Sequence, residues 1–221
     1  DSIRALSIGT FNAGINRLKV GKFTVFNTDN GLSNNNVTVI SEDSHKNLWI
    51  GTSDGLNRLK DGKITIYNKN NGLSGNYILS IYEDKEGSLW IGTLSDGINR
   101  LKNGIFTTCR KENGLYDNMA LHILEDDIGN FWMSCNKGIY RVATNELNGF
   151  CDGKVRFVTS IGYGKADGMK SLYYIITDSS TYLAALRTGK VDTLAWTQGI
   201  DDSKTILSTR KDMQYFVIEA S

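Results

Sequence analysis

The sequence predicts a mainly β fold: an incomplete β-propeller of three full four-stranded blades plus partial blades, followed by a small α/β segment. Three observations predict it. A unit opened by Gly31, Gly72 and Gly114 recurs at spacings of 41 and 42 residues, the period of a propeller blade. Each unit holds four short apolar runs, and long 3.6-period runs are absent from residues 1–171, which argues against a helical repeat. Glycine is plentiful at 23 while proline is absent, so the corners are built from residues at positive φ rather than from rigid prolyl turns.

Residues 8–30, IGTFNAGINRLKVGKFTVFNTDN, read as the back half of a unit. Full blades follow at about 31–71, 72–113 and 114–167, and Gly168–Ser171 opens a further one. Within a blade the first strand is VTVISED or YILSIYED, alternating and ending on an acid. A polar turn (SHKN, KEGS, DIGN) leads into LWIGT, LWIGT or FWMSC, and a second turn leads into LNRL, INRL or IYRV. Asp61-Gly62 and Asn103-Gly104 then form the last hairpin, because both central residues tolerate φ > 0.

Repetition in identical slots assigns most of the prominent residues to scaffold. Trp49, Trp90 and Trp132 sit amid apolar residues on the second strand, where a large ring fills the space between blades; stacking on a ligand is the alternative role. Gly51 and Gly92 follow two residues later, where a missing side chain admits the next sheet. Asp43, Asp84 and Asp126 end the first strand before a turn and are placed to cap its N–H groups. Arg17, Arg58, Arg100 and Arg141 recur on the third strand, as interblade hydrogen-bond donors, as solvated pairs or as grips for an acidic ligand.

These blades, with GLSNNNVTVISEDSHKNLWIGTSDGLNRLKDGKITIY as the type sequence, resemble two-component regulator propeller repeats. That family forms the periplasmic sensor part of hybrid histidine kinases. The third full blade carries a longer piece, YRVATNELNGFCDGKVRF, similar to the segment near the end of such propellers. The resemblance spans residues 1–171. It implies a seven-bladed propeller, often paired in tandem, that senses an external ligand such as a carbohydrate breakdown product. Three full and two partial blades do not close such a ring. A fragment, a ring completed by another molecule and an open arc all remain open, since each blade buries its face only against neighbours.

After Ser171 the pattern changes. Tyr173–Thr177, Val191–Trp196 and Gln214–Glu219 read as strands, with helices to Arg187 and to about Lys211 between them, an α/β order. TYLAALRTGKVDTLAW resembles part of oligopeptide-type extracellular solute-binding proteins; a generic α/β tail is the alternative. Residues 172–221 are accordingly expected to be a foreign or composite segment. The opening Asp1-Ser2-Ile3-Arg4 falls mid-pattern, as in a mature or truncated segment, with no visible signal peptide.

The chemistry-bearing residues point to binding, not catalysis. His45 lies in a turn and His122 on a first strand, without metal-ligand spacing around either, and no nucleophile-elbow, zincin or phosphate-loop pattern is present. Cys109, Cys135 and Cys151 are widely spaced and read as ordinary thiols, so neither metal nor cofactor is expected. A propeller lyase, the enzymatic alternative, needs a histidine–carboxylate cluster at the channel mouth that two histidines in different slots do not supply. Asn35, Asn76 and Asn118 stand four residues after each opening glycine, at the start of the innermost strand. Their amides are the candidate ligand-binding groups, or else each fixes its own turn. Twenty-five basic against 24 acidic residues disfavour nucleic acid, and no apolar run reaches bilayer length. The expected protein is a non-catalytic, periplasmic or extracellular sensing segment of a two-component receptor. Its expected partners are an extracellular oligosaccharide or peptide, and self-association that completes the propeller. A solute-binding fragment of a peptide importer and a propeller used only for protein–protein interaction are the alternatives.

Overall fold

The computed structural model describes residues 5–169. They form four antiparallel sheets in which every strand pairs with its neighbour in sequence. Blade one is three-stranded: β1 (Leu6–Gly9), β2 (Ile15–Lys19) and β3 (Lys22–Phe26). Blade two comprises β4 (Val37–Glu42), β5 (Leu48–Thr52), β6 (Gly55–Lys60) and β7 (Lys63–Tyr67). Blade three comprises β8 (Ile78–Glu83), β9 (Leu89–Thr93), β10 (Ile98–Lys102) and β11 (Ile105–Cys109). Blade four comprises β12 (His122–Glu125), β13 (Asn130–Cys135), β14 (Gly138–Ala143) and β15 (Ser160–Tyr163), with helix α1 (Thr144–Cys151) between the last two strands. The expectations for residues 172–221 lie outside the described residues.

The turns follow the local chemistry. Asp61 and Gly62 take φ 49° and 78°, and Asn103 and Gly104 take 54° and 78°, both residues left-handed as a tight two-residue hairpin requires. Blade one uses Val20 (φ 52°) and Gly21 in the same place, putting a β-branched residue where such residues are strained. Each blade ends in a one-turn 3-10 segment: Thr28–Asn30, Lys69–Asn71, Lys111–Asn113 and Lys165–Asp167.

The core lies between blades. Ile15, Leu32, Leu48, Ile50 and Leu59 fill the first junction. Trp49, Leu56, Leu73, Ile78, Leu89 and Ile91 fill the second. The third is the largest, with Trp90, Phe131, Met133 and Tyr140 among its members. Innermost strands β4, β8 and β12 stand side by side. A Cβ on Gly51 would strike Val39 and Ile78, and one on Gly92 would strike Ser80 and the Ala120 carbonyl, so the following blade occupies the space both glycines leave. Hydroxyls reach across at the same level: Thr38 Oγ1 donates to the Ile78 carbonyl at 2.6 Å and Ser80 Oγ to that of Ala120 at 2.8 Å.

Helix α1 is the element the sequence does not announce. It has no side-chain N-cap at Ala143 and spans two turns, too short to persist on propensity alone. Tertiary contacts hold it: Leu147 is fully buried and Arg100 bonds to Asn148 and Asp152.

Candidate functional site

One end of the blade array gathers the loops that open the innermost strands and the turns between second and third strands. Asn35, Asn76 and Asn118 all lie there, half-buried. Each side-chain carbonyl accepts the first N–H of the preceding 3-10 turn: Thr28 N to Asn35 at 2.9 Å, Lys69 N to Asn76 at 3.1 Å, and Lys111 N to Asn118 at 2.8 Å. Each main-chain carbonyl accepts an N–H from the preceding blade, from Gly14, Gly55 and Gly97 at 2.9, 2.7 and 2.9 Å. The asparagines thus couple a turn of their own blade to the blade before. What differs is the amide NH2. Asn76 Nδ2 donates to Asp54 at 2.8 Å, whereas those of Asn35 and Asn118 bond to no other described residue. Around them stand the partly exposed Tyr77 and Leu94 and the ion pair Lys137–Asp117 at 2.6 Å. The Asp117 carboxyl is raised by burial, but its bonds to Lys137 and the Met119 N–H outweigh this and hold it below its ordinary value.

The repeated tryptophans and aspartates form one device. Trp49, Trp90 and Trp132 donate their indole N–H to Asp43, Asp84 and Asp126, each at 2.8 Å. The same carboxylates accept backbone N–H groups of the turn they begin: His45 and Asn47, Glu86 and Ser88, Ile128 and Asn130. Burial raises the Asp43 and Asp126 carboxyls, yet these bonds together prevail and hold both below the usual aspartate value. Trp49 and Trp90 lie within interblade cores, and Trp132 stacks on Tyr163 at 5.6 Å. The spacing of six residues from Asp to Trp, constant in all three blades, is the signal by which the sequence carries this bond.

The remaining candidates do not assemble. His45 Nδ1 lies 3.3 Å from Ser44 Oγ in the first turn of blade two, and His122 begins β12 in blade four. Cys109 and Cys135 are buried and Cys151 half-buried. Burial pushes the Cys109 thiol up to about 12 and raises the other two, leaving all three protonated and poor nucleophiles. Among the described residues no group of three or more histidines, cysteines and acids is placed to hold a metal ion. No helix among them is long and apolar enough to cross a membrane.

The geometry has relatives. No curated protein matches the chain. Among solved structures, it is similar to the extracellular domain of BT3049 from B. thetaiotaomicron, described as a hybrid two component system. The match has 25% identity and a TM-score of 0.64, and covers 79% of this chain and 23% of that one. The extracellular domain of BT4673 from the same organism, described likewise, matches at 25% identity and a TM-score of 0.61, over 80% of this chain and 26% of its own. This chain therefore spans about a quarter of the length of those domains. Virginiamycin B lyase from Staphylococcus aureus shares the fold alone, at 15% identity and a TM-score of 0.51 over 75% of this chain and 61% of that one. Residues 31–54 and 72–95, which open blades two and three, match the family model of the two component regulator propeller.

Proposed function

We propose that this chain is part of an extracytoplasmic, non-catalytic propeller that binds an oligosaccharide or peptide and reports its occupancy to a two-component signalling receptor. Similarity to extracellular domains of two component systems supports the setting. One observation carries the binding reading: Asn35 and Asn118 spend their carbonyls on the fold and keep their NH2 donors for something else. Sugar hydroxyls and peptide carbonyls are the acceptors such donors suit.

The substitutions Asn35→Asp and Asn118→Asp test this, because aspartate keeps the acceptor that the 3-10 turn needs and removes the donor. A glycan and peptide panel is screened by thermal shift against the parent chain and the double variant. Ligand at about a hundred times Kd adds about 2.7 kcal/mol, a rise of roughly 5–10 °C for a domain of this size. The expected result is such a rise in the parent, lost in a double variant whose unliganded Tm is nearly unchanged. A ligand that shifts both proteins equally places binding elsewhere.

A further inference from the structure

The third strand of blades two to four, and the matching strand β2 of three-stranded blade one, carry an arginine in the same register. Arg58, Arg100 and Arg141 stand opposite Trp49, Trp90 and Trp132, and Arg17 stands opposite Ser7. Their partners differ. In blade three the site is filled: Arg100 Nη2 donates to Asp152 Oδ1 at 2.6 Å and Nη1 to Asn148 Oδ1 at 2.8 Å, leaving the arginine side chain 5% exposed. Both acceptors come from α1 and its C-cap, and α1 packs on β11 of blade three and β14 of blade four. In blade four Arg141 turns to Tyr163 and Asn130 of its own sheet.

In blade two the corresponding slot is open. The Arg58 guanidinium lies over Trp49 at 5.9 Å and lacks the acceptors that Asn148 and Asp152 give the Arg100 Nη groups; its Nε is buried without a partner, as are those of Arg17 and Arg100. In front of it is a recess of about 190 Å³, bounded by Tyr67 of β7 and Leu101 of β10. These strands correspond to β11 and β14, the two that α1 covers one blade further on. A guanidinium with donors facing such a recess favours a planar carboxylate.

The acids bordering the recess do not oppose this. Asp43 and Glu83 line the open slot, and their equivalents Asp84 and Glu125 border the filled one. All four already hold donors: Asp43 from Trp49 and Asn47, Glu83 from Ser44, Asp84 from Trp90, and Glu125 from Tyr82. The filled slot accepts Asp152 despite them. The open slot has His45 where the filled one has Glu86, one negative charge fewer.

We infer that the recess between blades two and three is a docking site for a partner's acidic peptide segment. That segment presents a carboxylate and a side-chain amide one helical turn apart, and Arg58 takes the carboxylate as Arg100 takes Asp152. The probe is a synthetic peptide of residues 144–155, TNELNGFCDGKV, titrated by calorimetry into the full chain. Expected is saturable one-site binding that weakens at least about tenfold, about 1.4 kcal/mol, with Arg58→Met in the chain or Asp152→Asn in the peptide. Arg17→Met is expected to leave it unchanged. Arg58→Lys, which keeps the charge and loses the fork, is expected to weaken binding by a smaller factor and serves as the informative variant should Arg58→Met not fold. Equal binding by the Arg58 variants, equal binding by the Asp152→Asn peptide, loss on Arg17→Met, or no binding by the parent chain would each overturn the assignment.

Discussion

Burying a carboxylate costs several kcal/mol unless donors surround it. Asp43, Asp84 and Asp126 meet that condition by folding the next turn around themselves and drawing the indole N–H of the following strand into the same cage. Truncating Asp84 to alanine strips the Trp90 indole and two backbone N–H groups of their acceptor inside the protein. The expected loss is about 2–4 kcal/mol, read as a lower urea midpoint at unchanged m-value. Acid acts on the same bonds. The folded values of Asp43 and Asp126 lie below the ordinary 3.8, so the unfolded chain takes up protons first. Their stabilisation is complete above that value and is lost as pH falls through the lowered folded values. Urea midpoints measured from pH 6 down to pH 3 are expected to fall, and less steeply for Asp43→Asn; equal slopes would sink the assignment. A third residue carries strain instead of support. Val20 is 71% exposed with φ 52°, where the other two hairpins place Asp61 and Asn103. Val20→Asn removes a left-handed penalty of about 1–2 kcal/mol and is expected to stabilise the fold by about 1 kcal/mol, read as a higher urea midpoint at unchanged m-value. The slots of these residues are legible in the sequence because they repeat; the Asp–Trp bond is not read from residue types, since aspartate before a turn already has a sufficient reason to be there.

At the level of elements, hairpins and strands were legible for local reasons: Asp61-Gly62 and Asn103-Gly104 specify their turns without help from the rest of the chain. Helix α1 was not, because its cause is remote. Gly149 interrupts it, its N-cap is bare, and its anchor is an arginine 48 residues away in sequence. Arg100→Met therefore tests whether the tertiary bond or local preference holds α1. The Asp152 side chain is 31% exposed, so its loss of partner is relieved by water and the expected cost is about 1–3 kcal/mol, below that of a fully buried pair. The decisive reading is local: amide exchange across Thr144–Cys151 is expected to accelerate while β8–β9 stays protected. Uniform acceleration would mean that Arg100 stabilises the junction and not the helix. The Arg58 recess escaped the sequence for the same reason, since a slot is recognised as open only by comparison with one that α1 has filled.

For the molecule as a whole, the energetics are those of stacked sheets, in which a face is buried only if a neighbour stands against it. Ile50 shows the satisfied case: on β5 it faces blade one and is fully buried. Ile8 holds the same position on β1, and no described residue covers it. With Leu6, Phe23 and Val25 it makes an apolar face, the four residues being 47%, 57%, 60% and 43% exposed, in that order. The repeat made the need for neighbours legible, but not which side chains would stand bare, because that depends on which face of each strand looks back and which looks forward. An uncovered apolar face of this kind favours association. Sedimentation velocity over a range of concentrations is expected to show self-association of the parent chain. The pair Ile8→Lys and Phe23→Lys is expected to shift it to monomer without lowering Tm, since neither substitution buries a charge. Ile50→Lys, one blade inward at the same position, puts an unpaired ammonium into a closed junction and is expected to unfold blades one and two. A parent chain that stays monomeric throughout, or an association indifferent to Ile8 and Phe23, would show that this face is covered within the chain itself.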